Sequence, residues 1–184
     1  MMQKKVQIIS DGSLDLSQDL TKEKDIEVVP FYVSFDSETY QKEMVEVGVR
    51  EFYQEMVDHP TVFPKTSMPS VHDYYEVFEK YAKEKMPVIC ICITKKFSGS
   101  LQSATTAKDM ILEEYPDAQI TVIDSTVNTV LQGLYVLEAC RLRDMGLEYQ
   151  QIVDALLPIR ETGRIFFTIG SIDYLKHGGR IGKL

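Results

Sequence analysis

The chain has no tryptophan, only three histidines and only three cysteines. His59, His72 and His177 lie far apart, and the cysteines do not follow a metal-ligand spacing. No glycine-rich loop ending in Gly-Lys-Ser or Gly-Lys-Thr is present, so a nucleotide-phosphate loop of that kind is excluded. Positive charge is scarce: Lys+Arg 20 stand against Asp+Glu 28, a formal net charge of -8. With no basic stripe, nucleic acid is not an expected partner, and an anionic membrane surface repels the chain on average. No apolar run reaches the length of a membrane span. Polar Ser10-Asp11 follows the first apolar residues too soon for a secretory signal.

The cysteines that are present point to a reducing compartment. Cys90 and Cys92 alternate in one strand-like run and so share a face, a spacing that disfavours a disulfide between them. With Cys140 they read as small buried apolar groups, which fits the cytoplasm. Tyr 10, Met 8 and Phe 8 make the chain rich in large, adaptable side chains. That composition suits an aromatic core and equally the lining of a long apolar ligand.

The 184 residues suffice for one good core or slightly more. Val6-Gln7-Ile8-Ile9, Ile26 to Phe35, Val88 to Thr94 and Gln119 to Ile123 read as strands. Ser17 is positioned to cap a short helix. Val71, Tyr74, Tyr75, Phe78, Tyr81 and Ala82 form a helical stripe, and Ser70 with Asp73 predicts a capping box. Further helices are expected over 49–56, 101–114, 129–144 and 148–160. The run Val88 to Thr94 is apolar on both faces, as in a buried parallel strand. Strand, polar loop and helix therefore recur, which predicts an α/β fold with a mostly parallel sheet flanked by helices. Arg164 to Ile169 reads as one more apolar strand. Left as an edge, it is expected to pack on the first domain or pair with a second copy of the chain.

In such sheets ligands bind at the carboxyl ends of the strands. Polar loops begin at Ser10, Lys65, Lys95 and Asp124, and parallel strands place all four on one edge. Two of them are rich in hydroxyls: Lys65-Thr66-Ser67-Met68-Pro69-Ser70 and Phe97-Ser98-Gly99-Ser100-Leu101-Gln102-Ser103-Ala104. Each reads as the opening of a helix, where hydroxyls and unpaired N–H groups together suit a carboxylate or phosphate. Helix capping by Ser67 and Ser70 is the plainer alternative. Asp11 and Asp124 at strand ends read as acceptors for nearby backbone N–H groups, with metal binding or acid–base work as the alternative. The histidines read as solvated. No base is placed by sequence near Ser98, which weighs against a serine nucleophile.

Taken together, the loops resemble the DegV family of bacterial fatty-acid-binding proteins. Asp11-Gly12-Ser13-Leu14-Asp15-Leu16 is similar to the family's Asp-Ser-Thr-x-Asp-Leu. Lys65 to Ser70 resembles its Thr-Ser-Gln-Pro-Ser loop, and Phe97 to Ala104 its Ser-Gly-Thr-Tyr-Gln-Ser-Ala. Asp124-Ser125 followed by Gly133 fits another block. Asp173-Tyr174-Leu175-Lys176-His177-Gly178-Gly179-Arg180-Ile181 resembles its Leu-x-Tyr-Leu-x-x-Gly-Gly-Arg-Ile. The order of these blocks is more specific than any one of them.

The resemblance implies a two-domain fold with a long-chain fatty acid between the domains. It implies a carrier that is not itself an enzyme, needs no cofactor or metal, and presents the fatty acid to a separate kinase subunit for acyl phosphate formation. By motif match Thr66 and Ser98, with Ser67 and Gly99, hold the carboxylate. Asp11, Ser125 and Arg180 are implied as supporting or partner-facing residues. Gly12, Met68 and Tyr135 depart from the pattern, and Tyr135 is expected to narrow the ligand space. Members of the family continue well beyond Leu184. Residues 1–162 are therefore expected to be the lipid-binding domain and 163–184 the start of a second domain that is largely absent. Two rivals are a serine- or metal-dependent hydrolase or phosphoryl-transfer enzyme acting on a small anion, and a fragment that binds nothing.

Overall fold

The computed structural model describes residues 6–168, 170 and 172–179. Contacts divide the chain into two compact units. One comprises the segment up to Val29 together with Pro69–Ile165. The other comprises Pro30–Met68 and the segment from Phe166 onward.

The larger unit is built on a four-stranded parallel sheet. Its strands are β1 (Gln7–Asp11), β2 (Ile26–Val29), β6 (Val88–Cys92) and β7 (Ile120–Asp124), in the order β2-β1-β6-β7. The register sets Ile9 beside Cys90 and Cys90 beside Val122. Every residue of β1 and β6 is buried, as expected for central strands covered on both faces. Alternate side chains serve opposite faces. Ile8, Ile89, Ile91 and Ile123 pack against Val136, Ala139 and Cys140 of α5 (Thr129–Asp144) and Ile152 and Leu156 of α6 (Tyr149–Ile159). Ile9, Cys90 and Cys92 pack against Tyr74 and Phe78 of α3 (Val71–Lys83) and Ala104, Ala107 and Ile111 of α4 (Ser100–Glu114). Each wholly buried isoleucine or phenylalanine contributes about 1.5–3 kcal/mol. A 3₁₀ turn (Gly12–Leu14) and α1 (Gln18–Glu23) join β1 to β2, and the Ser17 hydroxyl accepts from the Leu20 N–H as anticipated.

The smaller unit has a three-stranded antiparallel sheet, order β4-β3-β5: β3 (Tyr32–Ser34), β4 (Gln41–Lys42) and β5 (Lys65–Ser67). Its helices are α2 (Val49–Asp58) and α7 (Asp173–His177). Phe35 packs on Phe52 of α2, with ring centroids 5.2 Å apart. The Phe63 and His177 rings stack at 3.9 Å, so His177 is not merely solvated.

Three expectations need correction. Ile26 to Phe35 is not one strand: Pro30 has no N–H to donate, and β2 and β3 on either side belong to different sheets. Lys65-Thr66-Ser67 does not open a helix. It pairs with Ser34, Val33 and Tyr32 as an exposed strand, and only Ser70 caps α3. Residues 164–168 form no strand and pair with neither sheet of the described residues. Phe166 and Phe167 are exposed, and Ile169 lies outside the described residues.

Candidate functional site

Parallel strands send their following loops to a common edge. β1 leads into Gly12–Leu14, β6 into the segment Ile93–Gly99, and β7 into Ser125–Asn128. Three of the four polar loops singled out in the sequence therefore lie at the carboxyl edge of the larger sheet. The fourth belongs to the antiparallel sheet of the smaller unit. Hydrogen bonds hold the neighbouring loops together. The Ser125 N–H donates to the Cys92 carbonyl at 3.0 Å, and the Thr94 N–H to the Val127 carbonyl at 3.0 Å.

At the centre of this edge is Asp11, wholly buried at the end of β1. Its Oδ2 accepts from the Ile93 N–H at 2.9 Å and the Ser100 hydroxyl at 2.7 Å. Its Oδ1 accepts from the Gln132 amide at 2.8 Å, and the Ser13 hydroxyl lies 2.9 Å away, its single proton shared between this oxygen and Gln132 Oε1 at 2.5 Å. All four partners are neutral. Burial pushes the Asp11 carboxyl above its ordinary value, although each of these bonds pulls the other way. Protein groups thus surround both oxygens of the carboxylate. Asp11 does accept a backbone N–H as anticipated, but it also joins β1, β6, α4 and α5.

Ser100, the first residue of α4, is buried. Its hydroxyl lies between Asp11 and the Tyr74 hydroxyl, 2.7 Å from each. Its N–H donates to Ser98 Oγ at 3.2 Å. Ser98 is half-buried and Gly99 exposed, with the exposed Lys95, Lys96 and Phe97 preceding them. Gly99 has φ -78°, a conformation open to any residue. The Ser98 oxygen accepts, while its own proton engages none of the described residues. A half-buried hydroxyl with a free proton suits an acceptor such as a carboxylate oxygen. Among the described residues no titratable group hydrogen-bonds Ser98.

The remaining candidates divide as follows. Ser125 is buried, its hydroxyl donating to the Val127 carbonyl at 2.9 Å, which shapes the loop. Asp124 accepts from the Thr126 N–H at 2.9 Å, the local role anticipated for it. Thr66 and Ser67 are exposed on β5 in the smaller unit. Arg180 lies outside the described residues. Tyr135 of α5 is buried, donates to the Leu156 carbonyl of α6 at 2.8 Å, and burial raises its phenol to about 12. Among the described residues no cluster of His, Cys, Asp or Glu is suited to a metal ion, and no helix is long and apolar enough to cross a membrane.

Sequence reasoning missed Gln132. It stands on the buried stripe of α5 with Tyr135, Val136 and Ala139, and a lone amide on an apolar stripe was the available signal. Tyr74 was assigned to its helical stripe correctly, but the partner of its hydroxyl depends on tertiary placement alone.

A family profile described as "Uncharacterised protein, DegV family" matches residues 5–184. The chain belongs to the DegV family. Among solved structures, this DegV chain is similar to a stearic acid-binding protein from Eubacterium ventriosum. The identity is 48% and the TM-score 0.92, over 97% of this chain and 61% of that one. It is also similar to a DegV family protein from Thermus thermophilus described for its fatty acid binding. There the identity is 30% and the TM-score 0.80, over 97% and 61% of the two chains. A DegV domain-containing protein of Clostridium perfringens is 32% identical over 177 residues, 96% of this chain and 62% of the relative. The chain therefore spans about three fifths of the length of the relatives it matches.

Proposed function

We propose that the protein binds a long-chain fatty acid. The residues put forward for its carboxylate are Ser98 and Gly99 in the larger unit and Thr66 and Ser67 in the smaller one, while Asp11 and Ser125 shape the loops at the edge of the larger sheet. The observation that carries the reading is the half-buried Ser98 hydroxyl, whose proton engages none of the described residues, in a chain 48% identical to a stearic acid-binding protein. An eighteen-carbon chain brings about 0.8 kcal/mol per buried CH₂, so modest burial suffices for tight binding. On this reading residues 1–162 form the lipid-binding part and 163–184 begin a second domain, with Arg180 put forward as a cation for the ligand or a partner. The protein acts in the cytoplasm as a carrier and presents the fatty acid to a separate kinase subunit, which forms the acyl phosphate.

Native mass spectrometry of the whole chain purified from a bacterial host tests the ligand class. A mass increment matching a fatty acid is expected, and its loss in Ser98→Ala and Thr66→Ala tests the headgroup assignment. A wild-type chain that neither carries nor takes up stearic acid would overturn the reading. Uptake undiminished in both variants would overturn the residues.

A further inference from the structure

Ser98 owes its placement to groups behind it. The Ser100 N–H fixes the Ser98 oxygen at 3.2 Å. Ser100 is itself held on two sides, its hydroxyl 2.7 Å from Asp11 Oδ2 and 2.7 Å from the Tyr74 hydroxyl. When Asp11 is ionised it can only accept. Ser100 therefore donates to Asp11, and the Tyr74 proton must point at Ser100. Asp11 also fixes the Ile93 N–H where β6 gives way to the Ser98 loop, and it reaches α5 through Gln132. Ser10, wholly buried, completes the array by accepting from the same Gln132 amide at 3.1 Å and donating to the Ile91 carbonyl at 2.8 Å.

We propose that Asp11 and Ser100, backed by Tyr74, are positioning residues for ligand recognition: they hold the start of α4 so that the Ser98 proton and the Gly99 backbone face the ligand carboxylate. The inference rests on the fatty-acid reading above. Three features argue for a role beyond holding the fold. The array sits at the one edge of the sheet where loops gather. It terminates on the hydroxyl whose proton engages none of the described residues. It also places a carboxylate where an apolar residue would fill the same space without the cost of burying charge.

A purely structural array and a positioning array differ in what they do to headgroup preference. The probes are stearic acid and stearyl alcohol, which share a tail and differ in charge. Binding of each is measured by titration to the intact wild-type chain and to Ser100→Ala, Ser100→Thr and Tyr74→Phe. Wild type is expected to prefer the acid. Ser100→Ala is expected to lose about tenfold in affinity for the acid, the equivalent of one hydrogen bond to a charged group, with the alcohol little changed. Ser100→Thr keeps the hydroxyl and is expected to restore the preference. Tyr74→Phe keeps the core filled and is expected to erode the preference by a smaller factor. It serves as the reading if Ser100→Ala fails to fold. Equal losses for acid and alcohol, or no loss in either variant, overturn the inference. A wild-type chain that binds no fatty acid overturns the carboxylate reading and this inference with it. Wild-type binding with an unaltered acid preference in both variants overturns the inference alone.

Discussion

Gly133 lies so close to the 3₁₀ turn that a Cβ on it would sit 2.4 Å from the Leu14 carbonyl oxygen and 2.8 Å from Leu16 Cδ2. A backbone atom cannot step aside as a flexible side chain can. Gly133→Ala is therefore expected to destabilise the protein by about 1–3 kcal/mol, read from denaturant unfolding. A change below a few tenths would contradict the close approach. Two aspartates provide opposite tests of pH. Asp11 has its carboxyl pushed above 3.8 by burial, so the folded chain takes up this proton before the unfolded chain does. Its contribution to stability is full below the unfolded value and falls as pH rises through the folded pKa. The stability of wild type relative to Asp11→Asn should therefore decline as pH rises from about 4, then level off. A constant difference would sink the assignment. Asp36 behaves the other way. Its Oδ1 accepts the Thr39 N–H at 2.7 Å, the Glu38 N–H at 2.8 Å and the Ser34 hydroxyl at 3.0 Å. These bonds, the backbone ones first, hold its carboxyl at about 2. Its contribution is present above the unfolded value and is lost as pH falls through about 2. An NMR titration of the carboxyl carbon with a midpoint near 4 would refute this.

At the scale of elements, α3 illustrates what local chemistry settles. Ser70 Oγ accepts the Asp73 N–H at 3.1 Å, and Asp73 accepts the Ser70 N–H at 2.8 Å. Both bonds lie within four residues, which is why the start of α3 was legible. Removing the cap in Ser70→Ala is expected to cost about 1 kcal/mol, measured by urea unfolding. An unchanged midpoint would count against it. β5 illustrates the opposite. Lys65-Thr66-Ser67 is short, exposed and lacks an apolar alternation, and its partner β3 is some thirty residues earlier. Nothing local marks it as a strand. The run 164–168 misleads in the reverse sense: it has the composition of a strand but joins neither sheet of the described residues. β-propensity describes a fit to a pleated, half-buried surface, so it cannot supply that surface.

For the whole molecule, the alternation of strand and helix made the parallel sheet legible, and with it the edge that gathers the Asp11, Ser98 and Ser125 loops. The order β2-β1-β6-β7 was not legible, because neighbours are chosen by which helices cover which face. The same limit hid Gln132, whose partners Ser10 and Asp11 are more than a hundred residues away. A ligand that binds only the folded chain stabilises all of it at once. At a free fatty-acid concentration one hundred times Kd the gain is about 2.7 kcal/mol. For a chain of 184 residues that corresponds to a rise in Tm of roughly 5–10 °C. Thermal unfolding with and without stearic acid measures it, and an unchanged Tm at saturation would contradict the proposed ligand class.

Cys90 and Cys92 are wholly buried in the central strand β6, and Cys140 is 1% exposed on α5 beneath the same sheet. A thiol reagent in water meets none of them while the sheet is closed. Modification therefore requires an opening that uncovers the sheet, and the rate at which the thiols react reports on that opening. The same burial keeps these sulfurs from aqueous oxidants for as long as the helices cover the sheet, so their chemical state records openings of that layer.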